Sequence, residues 1–93
     1  MIPSSEKSIL VLARRDHTEA MRVAAGLTIF GHVVDLVFMT HVVEETGENA
    51  AQAELLELAE IVPRTTVLDE ALEHVGDAAL AQAIADADLV VSL

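Results

Sequence analysis

A chain of 93 residues has room for one domain and not for two cores, and with 53% apolar residues but only Phe30 and Phe38 aromatic, that core must be built from Ala, Val and Leu. Sixteen acidic residues against five basic ones give a formal charge of −11, which argues against a phosphate-backbone partner, so nucleic acid is not expected. The absence of cysteine removes disulfides, thiolate metal sites and thiol nucleophiles together.

No apolar run reaches the roughly 18 residues that a membrane span needs. The stretch Met1-Ile2-Pro3-Ser4-Ser5-Glu6-Lys7 lacks the charged-then-apolar layout of a secretory signal. A cytoplasmic location without membrane contact is the expectation. So small and apolar a domain should leave hydrophobic surface over, which a subunit interface would cover.

After a polar terminus (1–7) read as frayed, the apolar run from Ser8 to Ala13 predicts a first strand. Arg14 and Arg15 follow, and Asp16 with Glu19 three residues on fits a capping box, Thr18 being the other cap candidate. A helix to about Phe30 would turn Ala20, Val23, Ala24 and Leu27 to the core. Its Gly26 requires a close neighbour, and Gly31 supplies a left-handed stop. Val33 to Met39 is β-branched and aromatic enough to be a second strand, broken only by Asp35. Apolar runs of this kind belong to strands buried on both faces of a parallel sheet, so the unit is a βαβ crossover.

The linker from Thr40 to Glu48 has turn chemistry. Asn49 and Gln52 stand at capping-box spacing, placing a second helix from about Ala50 until Pro63 forbids more, with Glu54, Glu57 and Glu60 on its wet face. Thr65 to Leu68 reads as a short third strand. Asp69 to Val75 reads as one or two helical turns closed by Gly76. Asp77 then caps an alanine-rich helix from Ala78 to about Ala87 with Ala79, Leu80, Ala83, Ile84 and Ala87 at core spacing, and Leu89 to Leu93 is the last strand. The alternation predicts one α/β domain over 1–93, three-layered α/β/α, with a mainly parallel sheet of about four or five strands.

In such sheets ligands bind outside the carboxyl ends of the strands. Those ends are Arg14 to His17, Thr40-His41 and Leu68 to Glu70. Arg14 and Arg15, with Arg22 one turn on, are candidates for an anion site beside free helix-start amides, although arginines among sixteen acids also pair as ordinary surface bridges. No glycine-rich phosphate loop accompanies them. His17 and His41 can share one rim, with Asp16, Glu44 or Glu45 near. No histidine pair has ligand-motif spacing, so neither a metal nor a cofactor is expected, and His32 reads as a cation near helix carbonyls. For His17 a capping or interface role stands beside a functional one. Carboxylates abound without a pair that marks acid–base catalysis.

From Phe30 to Met39, FGHVVDLVFM, together with Glu19-Ala20 and Ala24-Ala25-Gly26-Leu27, the chain resembles the DsrE/DsrF-like family of small α/β proteins in sulfur-relay systems, which includes the TusBCD subunits. The resemblance implies trimers or hexamers, homo-oligomeric or built with related subunits, and a part in handing persulfide sulfur between proteins. Sulfur-carrying members use a cysteine leaving the third strand, and on that pattern Leu68 stands at its position with Gly76 on a family glycine. Persulfide transfer needs a nucleophilic sulfur. The resemblance therefore implies a non-catalytic, cysteine-free subunit that acts through assembly. A small-molecule or anion-binding module using Arg14, Arg15, His17 and His41 is the alternative.

Overall fold

The computed structural model describes residues 7–68 and 72–93. Its strands are β1 (Ser8–Ala13), β2 (Val33–Phe38), β3 (Arg64–Thr65), β4 (Glu73–His74) and β5 (Leu89–Ser92), and its helices are α1 (His17–Ile29), α2 (Gly47–Leu58) and α3 (Asp77–Asp86). The five strands form one all-parallel sheet in the order β4-β3-β2-β1-β5. The chain thus walks outward from β1 to β4 and then returns to lay β5 on the other side of β1.

Alternation along the strands divides the core. Ile9, Val11, Ala13, Leu36 and Phe38 point to the face covered by α1 and α2, where they meet Ala20, Met21, Ala24, Ala25 and Leu56. Leu10, Leu12 and Val37 point to the opposite face, which α3 covers through Leu80, Ala83 and Ala87. The architecture is the expected three-layer α/β/α. Small alanines on α1 let the helix approach the sheet closely, and Met21 and Ala25, not Val23, complete its buried stripe.

The helix ends differ from expectation in instructive ways. Asp16 caps α1 by accepting from the Glu19 amide at 2.9 Å, but the Glu19 carboxylate turns to Arg22 and does not reach back. Gly31, at φ +91°, closes α1 as expected, with the His32 amide donating to Leu27. Among the described residues nothing crowds Gly26, so none of them is the close neighbour expected there. α2 starts three residues early because the Thr46 hydroxyl, on extended backbone, caps the Asn49 amide at 3.0 Å. It stops before Pro63 is reached: Glu60 takes φ +60° and the Ile61 amide closes onto Leu56, the same left-handed ending as at Gly31.

The third strand is two residues long and begins at Arg64, not Thr65. Where helical turns were expected, Glu73 and His74 pair in parallel with Arg64 and Thr65 as β4. The rest of that expectation, at 69–71, lies outside the described residues. α3 starts at Asp77 with no side-chain cap, so Asp77 is its first residue and not its cap, and Ala79 and Ile84 stay exposed. The expectation of a frayed terminus lies outside the described residues except at Lys7. There the backbone is held, its amide by His32 Nδ1 at 3.1 Å and its carbonyl by the Val33 amide. His32 therefore accepts through a bare ring nitrogen instead of standing as a cation against helix carbonyls.

Candidate functional site

The register of β1 on β2 pairs Ala13 with Phe38, so the segments leaving both strands run side by side at the carboxyl rim. The Met39 amide donates to the Ala13 carbonyl at 2.9 Å, and the Thr40 hydroxyl bonds the Arg14 carbonyl. Thr40 itself sits at φ +73°, a left-handed conformation that a β-branched residue adopts at a cost of order 1–3 kcal/mol. The surrounding contacts must hold it there.

His17, the first residue of α1, is 5% exposed and supplies the main contact. Its Nε2 lies 3.0 Å from the Met39 carbonyl, which can only accept, so Nε2 carries the hydrogen and Nδ1 is the bare nitrogen of the neutral ring. That Nδ1 is buried and has no hydrogen-bond partner among the described residues. Phe38 packs against the ring at 5.0 Å between centroids, and exposed His41 stacks on it at 4.1 Å with 24° between the planes. His41 Nδ1 donates to its neighbour Val42 at 3.0 Å, which leaves His41 Nε2 as a bare acceptor.

Burial, first of all, pushes the His17 pKa below that of an ordinary histidine, and the His41 ring pushes the same way. The Met39 carbonyl, the Ala13 carbonyl and Asp16, in that order, oppose them. The neutral ring is the form this packing favours.

A second tie was not foreseen. Buried Asn49, read from sequence as a cap, accepts from the Thr18 hydroxyl and donates through Nδ2 to the Glu44 carbonyl at 2.8 Å. It joins the first turn of α1, the first turn of α2 and the segment between β2 and α2. An asparagine three residues inside a Thr-capped helix was the available signal, but capping chemistry offered a simpler reading.

Between these ties opens a cleft of about 320 Å³ lined by Arg15, Asp16, His17, Thr18, His41, Glu44 and Asn49. The structure brings Arg15, His17 and His41 together and leaves Arg14 outside the lining, its carbonyl engaged by Thr40. Arg22 is taken by Glu19. The three arginines therefore do not converge, and the cleft sets one guanidinium against two carboxylates and two imidazoles. Asp16 also occupies part of the helix start that an anion would use. Glu45 lies outside this lining, beside an apolar groove that includes Phe38, Val42, Leu56 and Pro63. Among the described residues no group of three or more His, Asp or Glu has the spacing to hold a metal ion.

At the strand-order reversal between β1 and β5, the amides of Arg15 and Asp16 both donate to the Leu93 carbonyl, at 3.1 and 3.2 Å, so the position where a doubly wound sheet offers its crevice is bridged by backbone. A cavity of about 330 Å³ on the α3 side is lined by apolar side chains of β1 and α3 with the polar Ser8, Asp35, Gln82 and Asp86, of which Asp35 is paired with Arg64 at 3.0 Å and Gln82 donates to Asp86 at 2.9 Å. The rim cleft is thus the place where uncommitted polar groups converge. Leu68 lies beyond β3, 86% exposed. No helix among the described residues is long and apolar enough to cross a membrane. Comparison of the chain with family models, with curated proteins and with solved structures finds no match.

Proposed function

We propose that the chain is a binding domain whose ligand site is the cleft at the carboxyl ends of β1 and β2. The observation that carries this is the convergence there of Arg15, Asp16, Glu44 and the His17–His41 pair in an open cavity, where His41 Nε2 offers a bare acceptor. One cation among two carboxylates suits a small polar ligand with N–H or O–H donors better than a simple anion. Exposed, uncommitted Arg15 remains available to a negative group on a zwitterion.

A thermal-shift screen of small amines, amino acids and carboxylates tests the reading. A ligand at about 100 times its Kd stabilises by about 2.7 kcal/mol, or roughly 10–20 °C in a domain of this size. His41→Ala and Arg15→Ala should abolish or sharply reduce that shift, while Arg14→Ala should leave it intact. A hit whose shift survives both cleft substitutions binds elsewhere.

The second reading is assembly, as a cysteine-free DsrE/DsrF-like subunit of a sulfur-relay complex. It is favoured by large apolar side chains left in water, Phe30 82% exposed and Ile29, Leu58, Val62 and Leu68 nearly as much or more. With Leu68 at the position the resemblance gives to the family's cysteine, such a subunit would complete an oligomer instead of carrying sulfur. Light scattering behind size exclusion should then return a trimeric or hexameric mass. A monomer at micromolar concentration, alone and with related subunits, would remove this reading.

A further inference from the structure

We infer that residues 40–45 form a proton-released strap over the rim cleft, held shut by His41 stacked on the buried His17 ring. The inference rests on the cleft being the binding site only for its biological use, since the motion itself involves this chain alone.

The strap is tied at both ends and strained at its start. At one end, the Met39 amide and carbonyl bond Ala13 and His17. At the other, the Glu44 carbonyl takes Asn49 Nδ2 and the Thr46 hydroxyl caps α2. Between them Thr40 is held at φ +73°, so release relaxes the backbone. The contact made by the strap's own ring is His41 on His17.

Protonation attacks that contact from both sides. A proton on His17 must go to Nδ1, which is sealed from water and has no hydrogen-bonded acceptor in place, so that beyond the Met39 bond the Ala13 carbonyl is the backbone group left to ease the charge. The His41 ring, stacked at 4.1 Å, also opposes a charge on His17, so a proton there weakens the stack. Among the described residues the charged groups around the pair are Arg15 and Asp16 from the segment before α1 and Glu44 from the strap. α2 faces the cleft with uncharged Asn49, and β2 faces the ring with Phe38 and Met39. Arg15, the one cation in the cleft lining among the described residues, is offset by the two carboxylates. Relief of the misplaced proton therefore comes from parting the rings, which swings His41 and the strap outward.

The test is an NMR titration of the full chain from pH 7.5 to 5.0, following the four imidazoles and the backbone amides of 40–45. The expected result is that these amides move with the His17 ring and not with His32 or His74. Their opening equilibrium should rise about tenfold per pH unit below that midpoint, since one proton is coupled. His17→Gln, whose amide can still donate to Met39, should remove the transition. His41→Ala should leave the strap open at pH 7.5, with protection from hydrogen exchange already at the wild-type acid level. Strap amides that stay put while His17 titrates, or a transition that persists in His17→Gln, would overturn the inference. No ligand enters these measurements, so a failed titration overturns the strap alone, and a thermal-shift screen that yields no ligand for the cleft overturns the binding reading alone.

Discussion

Leu36→Ala should lower stability by about 3 kcal/mol or more, the range of buried leucine truncations. For a domain of this length that is a fall of roughly 12–24 °C in the unfolding midpoint. Leu36 is fully buried on β2, with β1 on one side and β3 on the other, and it belongs to the cluster that α1 and α2 cover. The α1 side of that cluster is built mainly from Ala20, Ala24 and Ala25, with Met21 the one long side chain that is fully buried and half-buried Leu27 packed at its edge. Alanines have no side chain with which to fill a vacated space, so the cavity should persist and the cost should lie well above the transfer free energy of the lost methyls. Val33→Ala on the same strand is the control: Val33 is 57% exposed, and a change within about 0.5 kcal/mol is expected for such a surface position. Thermal and denaturant unfolding of both variants check the pair. A loss below about 1 kcal/mol for Leu36→Ala would mean that the helical layer collapses onto the sheet far more easily than its packing implies.

The same contrast explains which parts of the fold could be read from residue order. β1 and β2 were legible because burial on both sheet faces demands unbroken apolar runs, and Ile9 to Ala13 and Leu36 to Phe38 supply them. β4 was not legible. Glu73-His74 is polar and exposed, and it is a strand only because the β3 edge pairs with it, a tertiary cause that no local pattern carries. In α3 the spacing of Leu80, Ala83 and Ala87 was read correctly, yet Ala79 and Ile84 stay wet because one short helix spans only the middle of its face of the sheet. The start of α2 went to Thr46 over Asn49 because Thr46 has the extended backbone a cap requires.

For the candidate site, the location followed from the rule that ligands meet the carboxyl ends of parallel strands, and Arg15, His17 and His41 do lie there. The stack itself could not be read, because it needs the register that sets Ala13 beside Phe38 and so brings residues 24 apart in sequence face to face. Nor could the exclusion of Arg14, whose place is decided by the hydroxyl of left-handed Thr40.

Stability should fall on acidification below about pH 6.5, and His17 should account for a distinct part of the fall. The sign follows from its pKa, which burial holds below the value of the unfolded chain, about 6.5 for a free histidine. Above that unfolded value both states carry a neutral ring, and the contribution of His17 is fully present. As the pH drops past it the unfolded chain takes up a proton that the folded one resists, so stability is lost until the folded pKa is passed. One proton limits the slope to about 1.4 kcal/mol per pH unit. Urea unfolding at half-unit steps from pH 7.5 to 5.5 measures it, above the range in which the 16 carboxylates of this chain begin to titrate. The informative quantity is the difference between wild type and His17→Gln, which isolates what the buried ring contributes. That variant keeps a donor for the Met39 carbonyl and should be the flatter of the two. His17→Ala loses the donor and the packing against Phe38, and should cost about 2 kcal/mol or more at pH 7.5, where no proton is involved. Equal slopes for wild type and His17→Gln would show that the buried ring exchanges its proton as freely as an exposed one. The sealed, neutral His17 on which the rim geometry depends would then have to be abandoned.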